Sequence, residues 1–259
     1  THGNLELVEL LLEYGADVNL MNPSSNMFYN RTTALMQACQ NGHYGIVVRL
    51  IQHGADATKI EASTGRTALI LASSSGHAII VRYLLEQHQQ QQRSNKENTI
   101  NKSIQNQMDR GNKTALWWAS RYGHTTAVET LLRYQNNNNN HNDDDDNDND
   151  NNDTDNRSLL QWQNDPLVIA SALGHIRVVE KLLSPVVERT NNTNDTSTSS
   201  SIWTSLLIAS RRGQEEVVKV LLQHYNEDNS STASDAATDT TPLITACRFD
   251  QLEVVKVLS

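Results

Sequence analysis

Four histidines directly follow a glycine: Gly42-His43, Gly76-His77, Gly123-His124 and Gly174-His175. Imidazole is the commonest side chain for holding a transition metal or moving a proton near neutral pH, so these pairs are the first candidates for chemistry. Asp143, Asp144, Asp145, Asp146, Asp148, Asp150, Asp153 and Asp155 supply hard oxygen donors of the kind calcium takes. Two thiols, Cys39 and Cys247, are candidate nucleophiles or disulfide partners. What each group can do depends on the elements that position it.

The histidines recur because the sequence does. Aligned on Ala34, Ala68, Ala115, Pro166, Ser205 and Pro242, each copy has Leu at the next position and Ala four positions on. Eight residues past each anchor stand Gly42, Gly76, Gly123, Gly174, Gly213 and Asp250. Apolar residues follow four, five, eight and nine places beyond the glycine, as in Ile46, Val47, Leu50 and Ile51, which is one face of a helix. Gly3 with Leu7, Val8, Leu11 and Leu12 supplies the second half of a further copy, and Val254, Val255 and Leu258 stop just short of completing the last. The expectation is a fragment of a longer chain. Thr33, Thr67, Thr114, Asp165, Thr204 and Thr241 stand where the first helix of each copy needs an N-terminal cap. The glycine stands where that helix must close in a left-handed conformation. Neither helix of a copy can bury its face alone, so neighbouring copies must stack.

Successive anchors lie 34, 47, 51, 39 and 37 residues apart, which points to a basal unit near 33 residues with insertions. The pattern Thr-[Pro/Ala]-Leu-x-x-Ala-x-x-x-Gly-His-x-x-x-Val-Val-x-x-Leu-Leu, with Gly-Ala-Asp-Val-Asn at 15–19 and Gly-Ala-Asp at 54–56, resembles the ankyrin repeat. The resemblance implies an all-α, ankyrin-like helical solenoid of helix-turn-helix repeats with hairpin or loop fingers. Seven copies are expected, at about 1–19, 31–58, 65–88, 112–134, 164–184, 203–225 and 240–259, in one array. Where the family often carries His after the Leu, this chain has Met36, Ile70, Trp117, Val168, Leu207 and Ile244, so the family's Thr-to-His bonds are lost. Polar insertions at about 89–108, 135–158, 189–201 and 226–239, rich in Asn, Gln, Asp and Ser, are expected to be disordered. Each falls between a second helix and the next anchor, at the finger edge.

The repeat disposes of most of the chemistry. Adjacent helices pack about 8 to 10 Å apart, whereas zinc needs its nitrogens at about 2.0 to 2.1 Å, so one histidine per copy cannot converge on a metal. Each imidazole is expected to bond neighbouring backbone instead, and Gln214 and Gln251 fill the same slot in the last two copies. The Asp run has neither the glycine nor the terminal Glu of a calcium loop and reads as a solvated tether. Cys39 and Cys247 share a slot with Ser73, Ser120, Ser171 and Ser210, and read as small packing residues. No catalytic residue, metal, cofactor or small-molecule substrate is predicted, and the chain is not expected to be an enzyme.

The variable positions carry more information. Two residues precede each repeat glycine, or Asp250 in the last copy: Gln40-Asn41, Ser74-Ser75, Arg121-Tyr122, Ala172-Leu173, Arg211-Arg212 and Arg248-Phe249. In an ankyrin-like stack they line the inner groove, so Arg121, Tyr122, Arg211, Arg212, Arg248 and Phe249 are the candidate partner-binding residues. Arg and Tyr are favoured at binding hot spots, and the partner implied is another protein with an acidic surface. A solvated surface is the plainer reading of the same stripe, and the Asp-rich insertion folding onto it is a third. Trp117 and Trp118 read as core, with an exposed edge of Trp117 as a binding anchor the alternative. Leu11, Asp17, Val18 and Asn19 resemble asparaginyl-hydroxylation sites of ankyrin hairpins, which makes Asn19 a candidate modification site; otherwise it is a turn residue.

The 259 residues are 37% apolar with a net charge of −9, of which the Asp run accounts for nearly all. No apolar stretch approaches the roughly 20 residues a bilayer demands, no secretory leader opens the chain, and there is no direct nucleic-acid signal. An intracellular, cytoplasmic location is expected. The functional expectation is a protein-interaction scaffold. Alternatives are the recruitment arm of a larger enzyme or channel, and a scaffold that self-associates through its Asn/Gln-rich loops.

Overall fold

Thr33 starts a short helix in the way its position requires: its hydroxyl accepts from the Met36 N–H at 3.3 Å, satisfying a donor that the helix cannot. Helix α2, Ala34–Asn41, ends at Gly42 with φ +78°, and α3, Tyr44–Gln52, follows after two residues. This computed structural model describes residues 3–22, 31–94, 104–139, 164–184, 196–228 and 241–258. Every helix pair among them is built on the same plan. The chain forms two compact units, Thr1–Gln135 and Asn136–Ser259.

In the first unit α1 (Leu5–Glu13) is followed by the pairs α2/α3, α4 (Ala68–Ser74) with α5 (Ala78–Ser94), and α6 (Ala115–Arg121) with α7 (Thr125–Asn139). The short helices α2, α4 and α6 stack in one row, and α1, α3 and α5 in another. The second unit repeats this with α8 (Pro166–Leu173) and α9 (Ile176–Leu182), α10 (Thr196–Arg212) and α11 (Glu215–Asp228), and α12 (Pro242–Arg248) and α13 (Leu252–Leu258). There α8, α10 and α12 form one row and α9, α11 and α13 the other. Among the described residues there are no strands, only an isolated antiparallel bridge between Ile60 and Thr67. The architecture is an all-α solenoid.

The predicted stripes form the core. Ile80, Val81, Leu84 and Leu85 of α5 are buried against Leu69, Ile70 and Ala72 of α4 and their neighbours, and Val217, Val218 and Leu221 of α11 do the same in the second unit. Burying one such side chain contributes about 1.5–3 kcal/mol, which short helices of this length cannot supply from backbone bonds alone. In α1 the outcome differs: Leu7 and Leu11 are exposed while Val8 and Leu12 are half-buried, because no described copy stacks on its other side.

Thr67, Thr114, Asp165 and Thr241 cap their helices as Thr33 does, accepting from Ile70, Trp117, Leu167 and Ile244. Thr204 does not. Helix α10 starts at Thr196, eight residues earlier, so Thr204 lies inside it, buried, and its hydroxyl donates to the Ser200 carbonyl at 2.8 Å. The apolar residue Ile202, itself buried, continues the helical face upstream of the anchor. Residues 196–201, drawn by composition into an insertion, are therefore helical. Composition misplaces two other boundaries for a related reason: α5 runs on to Ser94, and Ile104 sits buried in a 3₁₀ turn, Ile104–Asn106, packed on α5 and α6. Helices α7 and α11 likewise run on to Asn139 and Asp228, into the expected insertions. The Asp run and Trp162 lie outside the described residues.

The fingers of the first unit share one closing rung. The N–H groups of Asn22, Glu61 and Asp109 donate to the carbonyls of Thr32, Arg66 and Lys113 at 3.0, 2.8 and 3.0 Å. In each case the acceptor is the residue immediately before the cap threonine.

Candidate functional site

The repeat glycine is held by two demands at once. Its φ is positive, between 72° and 78° in Gly42, Gly76, Gly123, Gly174 and Gly213, a region that favours glycine. Gly42 and Gly76 are also overlaid by the next copy: a Cβ on Gly42 would lie 2.5 Å from His77 Cε1, and one on Gly76 would lie 2.6 Å from His124 Nδ1. The imidazoles reach further back, with His77 Nε2 3.2 Å from the Gln40 carbonyl and His124 Nε2 3.1 Å from that of Ser74. Each carbonyl belongs to the residue two places before the glycine, so the histidine bonds the preceding copy's helix end. In the second unit Gln214 and Gln251 overlie Gly174 and Gly213. His77 and His124 are thus joints between copies, and no group of three metal-ligating side chains occurs among the described residues.

The predicted groove residues fall into two clusters, one per unit. In the second unit Arg211, Arg212, Arg248 and Phe249 are all exposed, and the Arg211 guanidinium lies 4.7 Å from the Phe249 ring centroid. That contact joins the end of α10 to the end of α12 and holds an otherwise mobile Arg in place. In the first unit Arg121 is exposed and lies 5.4 Å from the Trp117 ring and 6.0 Å from Trp118. Tyr122, 51% exposed, stacks on Trp118 with centroids 5.8 Å apart.

Trp117 is 5% exposed, which removes it as a binding anchor: it packs edge-on against Trp118 within the core. Trp118 is half-buried and is the centre of the cluster. Its indole N–H donates to Asp109 Oδ2 at 2.8 Å, and the Arg66 guanidinium lies 3.9 Å from its ring centroid. Lys113 stands 4.6 Å from the Trp117 ring. Burial holds the Lys113 ammonium below its usual range, with Arg121 adding to the fall and Asp109 opposing it. Asp109 is the buried keystone: its other oxygen accepts from the Gly111 and Lys113 N–H groups, both at 2.9 Å.

Arg66, Asp109, Arg110 and Lys113 were not among the residues picked out from the sequence. The groove positions were found by comparing one slot across copies, and these four belong to fingers whose lengths vary. A usable signal existed, because a basic residue stands directly before the cap threonine in Arg66-Thr67 and Lys113-Thr114.

Asn19 is half-buried and engaged at every polar group. Its backbone N–H donates to Asp17 Oδ1 at 2.9 Å, its side-chain amide donates to the Gly54 carbonyl at 3.0 Å, and its amide oxygen accepts from the Asp56 N–H at 2.8 Å. The Lys59 ammonium donates to the Asn19 carbonyl at 3.0 Å. Asn19 therefore ties one finger to the next. Cys39 is buried, and burial pushes its thiol up, away from the reactive thiolate. Cys247 departs from the packing expectation: it is exposed, because no described helix covers that face of α12.

The family model for ankyrin repeats in three copies matches residues 1–96, 145–233 and 167–259, and the single ankyrin-repeat model matches 111–144. The E3 ubiquitin-protein ligase XBAT33 of Arabidopsis thaliana is 45% identical over 83 residues, 32% of this chain and 15% of that protein. Ankyrin repeat domain-containing protein 63 of Homo sapiens is 31% identical over 127 residues, 48% of this chain and 28% of that protein. The chain thus spans a minor part of each of these relatives. Among solved structures, the human ASB11 ankyrin repeat domain has a TM-score of 0.57 at 22% identity, covering 88% of this chain and 82% of that one. No helix among the described residues is long and apolar enough to cross a membrane.

Proposed function

We propose, on the premise that this chain belongs to the ankyrin-repeat family, whose repeats generally mediate protein-protein interaction, that it is a non-catalytic scaffold binding an acidic protein surface. The observation that carries this reading is the state of the residues before the repeat glycines. Arg121, Tyr122, Arg211, Arg212, Arg248 and Phe249 are exposed at helix ends, while the residues on the opposite face of the same helices, Ala119, Ala209 and Ala246, are buried. Cations held over aromatic rings on a stacked solenoid lose little freedom on binding, which is how rigid arrays gain affinity. The two unpaired thiols fit the reducing interior of a cell.

The test is affinity capture from lysate by the chain and by a variant with Ala at Arg121, Arg211, Arg212 and Arg248, matched for helicity. Capture of a defined protein by the first and its loss from the second supports the reading; identical capture by both sinks the stripe.

A second reading is favoured by the plant relatives, which are named as ubiquitin ligases: the array recruits substrates to a ligase. Its test is ubiquitin transfer by the product of the full reading frame that contains this sequence. Absence of transfer by that product sets the second reading aside and leaves the first untouched.

A further inference from the structure

We propose that the cluster around Trp118 in the first unit is a docking site for an acidic, extended segment of another protein, gripped by Arg110, Lys113 and Arg121 beside the exposed ring of Tyr122. The proposal rests on the scaffold reading and names the place in the first unit where it is realised.

Three cations gather on the Trp117–Trp118 pair, Arg66, Lys113 and Arg121, and a fourth, Arg110, stands three residues before Lys113 on the same finger, bonded to the finger that carries Arg66. Two carboxylates accompany them, and both are committed to the finger framework. Asp109 is buried and receives the Trp118 indole N–H and two backbone N–H groups. Glu61 is buried and receives the hydroxyls of Ser63 and Thr64. Arg66 serves as a strut, laid over Trp118 and 3.9 Å from Asp109 Oδ2. Arg110 and Arg121 are exposed and Lys113 is half-buried, and four cations against two carboxylates leave the cluster positive on a chain whose total charge is −9.

The cations are also set in place beforehand. Arg110 donates from its backbone N–H to the Thr64 carbonyl at 2.9 Å and from Nη1 to the Ser63 carbonyl at 3.1 Å, which locks one finger to the next. Lys113 is held by its N–H to Asp109 and by the left-handed turn at Asn112, φ +56°. Burial lowers the Lys113 ammonium and Arg121 adds to the fall, and a carboxylate arriving beside them opposes both. Met108, 56% exposed and two residues from Arg110 on the same finger, and Tyr122 offer apolar contact beside the charges.

The geometry favours peptide over nucleic acid. Trp117 is buried and Trp118 is already sandwiched by Arg66 and Tyr122, so open ring faces for successive bases are missing. A long polyanion meets the chain's overall negative field, whereas a short acidic segment lies within the roughly 8 Å over which local charges act at physiological salt.

The experiment is fluorescence anisotropy of the whole chain with fluorescein-labelled Glu-Glu-Glu-Phe-Glu-Glu-Glu, its all-Gln counterpart, and a labelled oligouridine. The Glu peptide is expected to bind about 10-fold tighter than the Gln peptide, with affinity falling as salt rises. Arg110→Ala with Lys113→Ala is expected to weaken it about 10-fold. Lys113→Arg is expected to retain it, and Arg177→Ala, an exposed cation of α9 outside the proposed stripe, to change it less than about 2-fold. Helicity and thermal melting confirm that each variant is folded. Equal affinity for Glu and Gln peptides, no loss in the double variant, or tighter binding of oligouridine overturns the proposal. An effect of Arg177→Ala as large as that of the double variant also overturns it, since binding would then follow overall charge and not this cluster, while leaving the scaffold reading intact.

Discussion

The joint between copies is made differently in the two units. In the first, Gly42 and Gly76 are overlaid by His77 and His124, and each imidazole also bonds a carbonyl of the copy before it. In the second, Gly174 and Gly213 are overlaid by Gln214 and Gln251, and the Gln251 amide donates to Phe249 of its own copy at 3.0 Å. The slot itself therefore asks only for a flat polar group that covers a glycine. Tying one copy to the next requires the reach and rigidity of the ring, and the first unit has in addition the finger ties through Asn19 and Arg110. The two clusters of Arg and aromatic residues follow the same division. Around Trp118 the cations are fixed by fingers, whereas Arg211 is held by a single ring contact with Phe249.

The sharpest way to break this comparison is at the glycines. Gly76→Ala is expected to cost about 2–3 kcal/mol, from left-handed strain and from displacing His124 off Ser74. Gly54→Ala, with φ +84° but open space around its Cβ, is expected to cost only the strain, about 1–2 kcal/mol. Gly213→Ala falls between them, because the Gln251 side chain can swing aside. Urea denaturation of the three variants checks this order; equal losses would mean that the overlying side chain contributes nothing. Asn19→Ala comes next, at about 1–2 kcal/mol, since it strips both partners from the Gly54 carbonyl and the Asp56 N–H. Protection of the Asp56 amide from hydrogen exchange should fall with it.

His124→Gln tests whether the second unit's solution works in the first. It is expected to cost about 1 kcal/mol, the worth of the bond to Ser74, and no loss in thermal stability would show the two joints equivalent. The smallest effect is expected at the buried serines. Ser73, Ser120, Ser171 and Ser210 are fully buried with no hydrogen-bond partner for their hydroxyl oxygens, so Ser73→Ala should be neutral or stabilising by up to about 1 kcal/mol. The reciprocal Cys39→Ser should destabilise by a similar amount, as it puts a hydroxyl in a site that burial keeps apolar. A melting-temperature shift in the opposite direction for either would refute the account of this slot.

Much of this architecture is legible in the residues. The Thr caps, the left-handed glycines and the apolar faces of α3, α5 and α11 are local patterns of fixed length, and local patterns survive into the fold. Thr204 is the instructive exception. It has the right spacing, but Ile202 upstream offers more buried surface than a cap is worth, so the helix begins earlier. The exposed residues at the ends of α6, α10 and α12 were legible as a slot that varies while the core repeats. The finger residues of the Trp118 cluster were not, because Arg66 and Asp109 are 43 positions apart and face each other only after two fingers stack.

By itself, then, the sequence determined the repeat, its helices and the slots that must be filled, since each depends on neighbours within a turn or two of the chain. Only the tertiary structure decided which side chains close over one another: His124 on Gly76, Asn19 on the next finger, Arg66 over Trp118. Stacking brings together residues from different copies, and the insertions between copies leave their separation in sequence uninformative about their separation in space.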